Sequence, residues 1–165
     1  MFYKLRLYGD PILNNISSNV DNFTNLSQLI QSMFMIMYKY NGVGLAANQI
    51  GVDKKVFVYK YKNESNYLIN PELISEDTQT ESKIEGCLSI PSLSCNIKRA
   101  KNITIKAYDI NNNEYYKDVS GYLAKIYLHE LDHLNGRLYL DRLNYKEKIN
   151  LLYNYKNQNL IKEYH

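Results

Sequence analysis

Residues 120 to 136 read SGYLAKIYLHELDHLNG, and the helix encoded there decides the fold. Leu123, Ile126, Tyr127, Leu131 and Leu134 recur at helical spacing, with Ser120 placed to cap the start and Asn135-Gly136 to end it. Positions four apart lie on one helical face a turn from each other, so His129 and His133 can aim two imidazoles at one metal ion. Glu130 then stands beside that ion as a candidate acid/base. The same five letters, HELDH, also fit an exposed charged helix or a buried histidine satisfied by a neighbour, so the motif names only a candidate site.

A hydrolytic metal site needs a third protein ligand and one open position. The candidates are His165, a carboxylate, or one of the two cysteines, Cys87 and Cys95. Cys87 has the better surroundings: it sits in EGCLSIP, where Gly86 lets a backbone approach closely and Pro91 ends the segment. Cys95, inside the alternating run SCNIKRA, reads as a small apolar group. A third island, NGVGLAANQIG at residues 41–51, packs small residues around Gln49. By itself it reads first as a tight helix-to-strand turn, and it also fits a surface that lets a ligand backbone close in while the Gln49 amide donates to a developing oxyanion.

Outward from these islands, Leu26, Leu29, Ile30, Met33, Ile36, Met37 and Tyr40 predict an amphipathic helix over 25–40, capped by Thr24 and stopped by Asn41-Gly42. Met33, Met35 and Met37 do not keep one helical face, and methionine here reads as core filler rather than a metal box. Segments 55–61, 67–69 and 102–109 are short, rich in Val, Ile, Phe, Thr and Tyr, and bounded by turn residues, which predicts strands. Asn111-Asn112-Asn113 separates ITIKAYDI from EYYKDV as in a hairpin. Ile149, Leu152, Tyr153 and Leu160 suggest a carboxy-terminal helix over 146–163. No repeat or linker divides the chain, so residues 1–165 are expected to form one catalytic domain.

At 165 residues the chain can bury about two-thirds of its unfolded surface in one core. Its net charge of +3 is small and its charges are interspersed, which gives no footprint for nucleic acid. Two cysteines make no secreted disulfide scaffold, and no stretch approaches the roughly 20 apolar residues of a membrane span. The first residues, MFYKLRLYGDPIL, lack a cleavable leader pattern, so a soluble cytoplasmic protein is expected.

GVGLAANQ, EGCLS and HELDH, in this order and at these separations, closely resemble the three signature motifs of the peptide deformylases. The likeness extends from YGDPIL near the start through INPEL at 69–73 to DHLNGRLYLDRL after the second histidine. It implies an α+β fold with antiparallel sheets packed around a central metal-binding HExxH helix, an amino-terminal amphipathic helix and a carboxy-terminal helix. It further implies Cys87, His129 and His133 as ligands of one divalent ion, Fe2+ natively, with Zn2+, Ni2+ or Co2+ able to take its place.

In the same resemblance Glu130 matches the acid/base, and Gln49 with the Leu88 backbone amide matches the oxyanion donors. Val43, Gly44 and Gly86 match the substrate-backbone positions, beside an apolar pocket for methionine. Ser89, Arg99 and Asp132 match positions whose polar types suit orienting the ligands. Asn48 stands where proline is often found, a change expected to be harmless. Leu128 replaces a glutamine that usually precedes HExxH, which removes an amide expected near the site.

The implied partners are formyl-Met nascent peptides. The mixed Lys and Glu pattern of the carboxy-terminal helix reads as a solvated face, with transient ribosome contact as the alternative. Two other functions fit parts of the sequence. A zinc peptidase would use HExxH but leave EGCLS and Gln49 without purpose, and a non-catalytic protein that recognises formylated termini would have no need of Glu130.

Overall fold

Val56, Phe57, Val58 and Tyr59 are all buried, which a strand can achieve only when both of its faces are covered. The computed structural model, which describes residues 3–163, shows what covers them. Val56 and Val58 pack with Leu29, Met33 and Met37 of helix α1 (Leu26–Lys39), whereas Phe57 and Tyr59 pack with Tyr127, Leu128 and Leu131 of helix α2 (Gly121–Leu134). The strand, β2 (Val56–Tyr61), therefore lies between the two helices. Tyr127 meets Phe57 and Tyr59 edge-on, with ring centroids 5.4 and 4.9 Å apart, a geometry worth about 0.5–1.5 kcal/mol per pair beyond area burial.

Around β2 runs a five-stranded antiparallel sheet in the order β1-β2-β3-β6-β7, with β1 Gly44–Ala46, β3 Glu64–Glu76, β6 Asn102–Tyr108 and β7 Glu114–Ser120. A separate antiparallel ladder joins β4 (Thr80–Cys87) to β5 (Ile90–Ala100). Helix α2 touches β1, β2, β6 and β7 of the sheet and β5 of the ladder, so it stands where the two meet. Helix α3 (Tyr145–Glu163) follows a 3-10 turn at Tyr139–Arg142.

The stops expected for α1 and α2 are found, with the backbone geometry that explains them. Asn41 takes a left-handed conformation (φ 56°) and the Gly42 N–H donates to the Met37 carbonyl at 2.8 Å. Gly136 (φ 68°) donates to the His133 carbonyl, and a side chain there would strike the Asn14 carbonyl, so glycine is required twice over. Met33 and Met37 are fully buried and Met35 is exposed, as expected of core filler on one helical face.

Three readings change. The residue capping α1 is Asn25, in a left-handed conformation (φ 64°), rather than Thr24. The strand read at 67–69 extends over Glu64–Glu76, because a register shift between Ile69 and Glu72 carries it past Asn70-Pro71. The ladder of β4 and β5 was not anticipated as an element. His165, once a candidate ligand, lies outside the described residues.

Candidate active site

The three islands of the sequence come together in one cleft of about 630 Å³, lined by Gly42 to Gly44, Gln49, residues 84–88, and Ile126, His129 and Glu130 of α2. Each arrives on a different element. His129, Glu130 and His133 come from the last turns of α2, Cys87 from the end of β4, and Gln49 from a 3-10 turn at Ala47–Ile50 that follows β1.

One ligand atom from each of Cys87, His129 and His133 lies within 4.8 Å of the others, and Cys87 Sγ is 3.1 Å from His133 Nε2. Nitrogen and sulfur ligands arranged tetrahedrally about one ion are roughly 3.3–3.6 Å apart, so the set fits a metal with little adjustment. Its chemistry fits too. Burial opposes the Cys87 thiolate, but the two imidazoles beside it carry its pKa well below the ordinary thiol value, and thiolate is the ligating form.

His129 Nδ1 lies 2.8 Å from Glu85 Oε2, which leaves Nε2 to face the cleft. Burial disfavours a charge on His129, yet Cys87 and Glu85 hold its pKa up at about 10. Glu85 was missed in the sequence. Burial would raise its pKa, but His129 and Arg99 bring it down to about 2, and it remains a carboxylate. A signal existed: Glu85 is two residues before Cys87 on the same strand, hence on the same face, inside the motif itself.

Arg99 grips Glu85 with two bonds, Nε to Oε1 at 2.9 Å and Nη2 to Oε2 at 3.0 Å. Its other edge reaches Asp132, which is also held by Arg142. Glu85, Arg99 and Asp132 are 2, 5 and 4 % exposed, so the chain of alternating charges is almost fully out of water. Arg99 thus holds the Glu85 carboxylate that faces His129, and Asp132 ties Arg99 to the end of α2.

Glu130 is buried, and burial, only partly countered by the two imidazoles, pushes its pKa up to about 7. Its Oε2 has no hydrogen-bond partner among the described residues. Gly44 makes this placement possible: a Cβ there would sit 2.2 Å from Glu130 Oε1. Gly86 is different, since a Cβ there would meet nothing closer than 3.6 Å, and the space is open to the cleft. Val43 is half exposed at the cleft mouth.

Gln49 is held in one orientation. Its Oε1 accepts from the Ala46 N–H at 2.8 Å, which turns the amide nitrogen toward Ser89 Oγ (3.0 Å) and Cys87 Sγ (3.4 Å). The amino-terminal segment straps this arrangement in place, with the Arg6 N–H on the Gln49 carbonyl and the Tyr8 N–H on the Ser89 carbonyl. Leu88 occupies the turn between β4 and β5, next to Cys87.

The two departures from the resembled pattern are explained. Leu128 packs in the core with Phe57 and Leu131 and lies on the side of α2 away from this cleft. Asn48 is buried and its amide donates to the His133 carbonyl, a bond proline could not make. Cys95 is half buried against Leu93 and Ile97, apart from the ligand set.

Known proteins resemble this chain over most of its length. The family model for polypeptide deformylase matches residues 2–149. A peptide deformylase from Carboxydothermus hydrogenoformans is 43% identical over 141 residues, covering 85% of this chain and 92% of that protein. The crystal structure of peptide deformylase from Thermotoga maritima superposes with a TM-score of 0.85 at 39% identity, covering 87% of this chain and 99% of that one. That of the Legionella pneumophila enzyme superposes at 0.89 with 32% identity, covering 99% and 98%. The chain belongs to the polypeptide deformylase family, whose activity is removal of the formyl group from the N-terminal methionine of nascent polypeptides.

Proposed function

We propose that the cleft beside α2 carries out this deformylation with Cys87, His129 and His133 as the metal ligands and Glu130 as the acid/base. The observation that carries the reading is the convergence of that thiol and those imidazoles on one point, with a buried carboxylate and an oriented amide at its edge. A divalent ion held there supplies Lewis acidity and acidifies water toward neutral pH.

The protein's own groups do the rest. Glu130 takes a proton from the attacking water as its oxygen bonds to the formyl carbon. Gln49 Nε2 and the Leu88 backbone N–H donate to the formyl oxygen as charge builds on it. When the carbon–nitrogen bond breaks, Glu130 passes the proton to the departing amine, leaving formate and a free amino terminus. Val43, Gly44 and Gly86 hold the substrate backbone, Gly86 by leaving room for it, and the apolar walls at Ile84, Leu88 and Ile126 take the methionine side chain.

The ligand set accepts iron, zinc, nickel or cobalt, and we assign iron as the native metal. The whole chain acts as one catalytic unit and works in the cytoplasm, in keeping with the lack of any described helix long and apolar enough to cross a membrane. Anaerobic metal analysis coupled to formate release from a formyl-Met peptide tests ion and reaction together. Glu130→Ala is expected to keep its metal and lose turnover about a thousandfold or more. Substantial residual activity removes Glu130 from the role. Activity equally stable in air and under nitrogen would assign a metal other than iron.

A further inference from the structure

Among the described residues that line the cleft, Lys125 is the one lysine or arginine. It lies one helical turn before His129 on α2, about 6 Å along the axis. Its side chain reaches from α2 across to β4, where Nζ donates to the Ile84 carbonyl at 3.0 Å. The same nitrogen sits 4.5 Å from the centroid of the Tyr122 ring, and Tyr122 is itself stacked on Tyr61 with centroids 6.2 Å apart. The ammonium is thus a fixed feature of the cleft wall.

It is also under-used. An ammonium has three N–H donors, and among the described residues only the Ile84 carbonyl accepts one in a hydrogen bond. Glu85, the acidic group whose charge acts on Lys125, is already shared between Arg99 and His129. Glu130, the other carboxylate in the cleft, is packed against Gly44. Burial pushes the Lys125 pKa down from its ordinary value, against the pull of Glu85, so the cation is partly stripped of water without a carboxylate partner of its own.

We propose that Lys125 is a specificity-determining residue that binds an acidic side chain in the second or third residue of the formylated peptide. The inference rests on the proposed function, since it takes the reacting carbon to lie beside His129. An extended peptide advances about 3.3 Å per residue, so a helical turn's separation from His129 puts these two residues within side-chain reach of the ammonium. Basic residues at the same positions are disfavoured by like charge.

The test compares kcat/KM of the metal-loaded enzyme at low ionic strength on formyl-Met-Glu-Ala and formyl-Met-Ala-Glu amides with their lysine counterparts, and with formyl-Met-Ala-Ala amide. At one of the two positions the glutamate peptide is expected to exceed the lysine peptide about fivefold, chiefly through KM, and the ratio to shrink in high salt. Lys125→Met should bring the ratio close to one, Lys125→Glu should invert it, and Lys125→Arg should keep it. Equal rates in the wild type overturn the proposal, as does a ratio that survives in Lys125→Met, which would trace it to the overall positive charge. Should the methionine variant fail to fold, the arginine and glutamate variants and the wild-type salt dependence decide. Absence of formate from every peptide, formyl-Met-Ala-Ala included, would instead refute the proposed function.

Discussion

Helix α2 is held on its two sides by different physics. Toward the five-stranded sheet it presents Tyr127, Leu128 and Leu131 to Phe57, Tyr59 and Ile105, a mostly apolar contact with Glu130 packed against Gly44 at its β1 edge. Toward the β4-β5 ladder it presents His129 and Asp132 to Glu85 and Arg99, a contact between buried ionisable groups. The apolar side is non-directional and tolerates small shifts, so it supplies stability. The charged side is directional: two bonds fix the Glu85 carboxylate, and that carboxylate fixes the face of His129. The metal-ligand role proposed for His129 needs direction, and the histidine sits on the side that provides it.

Removing Arg99 should have the largest effect, because it acts on both properties. Arg99→Met leaves Glu85 and Asp132 as buried, under-compensated carboxylates, at a cost of about 3–5 kcal/mol of stability. With Glu85 no longer clamped, metal affinity should fall about 10- to 100-fold as well. Chemical denaturation and metal titration read the two separately, and a loss of stability at unchanged affinity would break the distinction between the sides.

Tyr127→Ala should destabilise by about 3–5 kcal/mol through the cavity it leaves among Phe57 and Tyr59, with metal affinity of the folded protein unchanged. A weakened site in that variant would mean that apolar packing also aims the ligands.

Gln49 spans the seam, anchored by Ala46 at the end of β1 and aimed at Ser89 beyond β4. Gln49→Ala should lower kcat about a hundredfold, near 3 kcal/mol, with metal retained. Loss of metal would move Gln49 from the chemistry to the ligand scaffold.

The smallest effect sharpens the contrast at glycine. Gly86→Ala should cost less than about 1 kcal/mol in a thermal melt, because its Cβ meets ordinary contacts, but should raise KM for a formyl-Met peptide. An unchanged KM would remove Gly86 from the substrate surface.

How far these features could be read in advance depended on the kind of contact. The α1 and α2 helices were legible because they bury apolar residues at a regular period, and β2 and the β6-β7 hairpin because their runs rich in Val, Ile, Phe and Tyr are bounded by turn residues. The β4-β5 ladder was not. Its alternation is interrupted by Pro91, and its two most consequential buried residues, Glu85 and Arg99, have the composition of a surface. Leu128 misled in the opposite direction: its place beside His129 in sequence suggested the site, whereas consecutive helical residues point about 100° apart and it faces the core.

By itself the sequence determined the residue types that carry the chemistry and the helical spacing that sets His129 and His133 on one face, because local periodicity is written in neighbouring residues. Only the tertiary structure decided which groups surround them. That Glu85 secures His129, that Gly44 makes room for Glu130, that Asn48 binds the His133 carbonyl and that Lys125 spans the cleft are contacts between segments distant in the chain. Such contacts depend on strand register and on how α2 seats between sheet and ladder, and no local pattern encodes either.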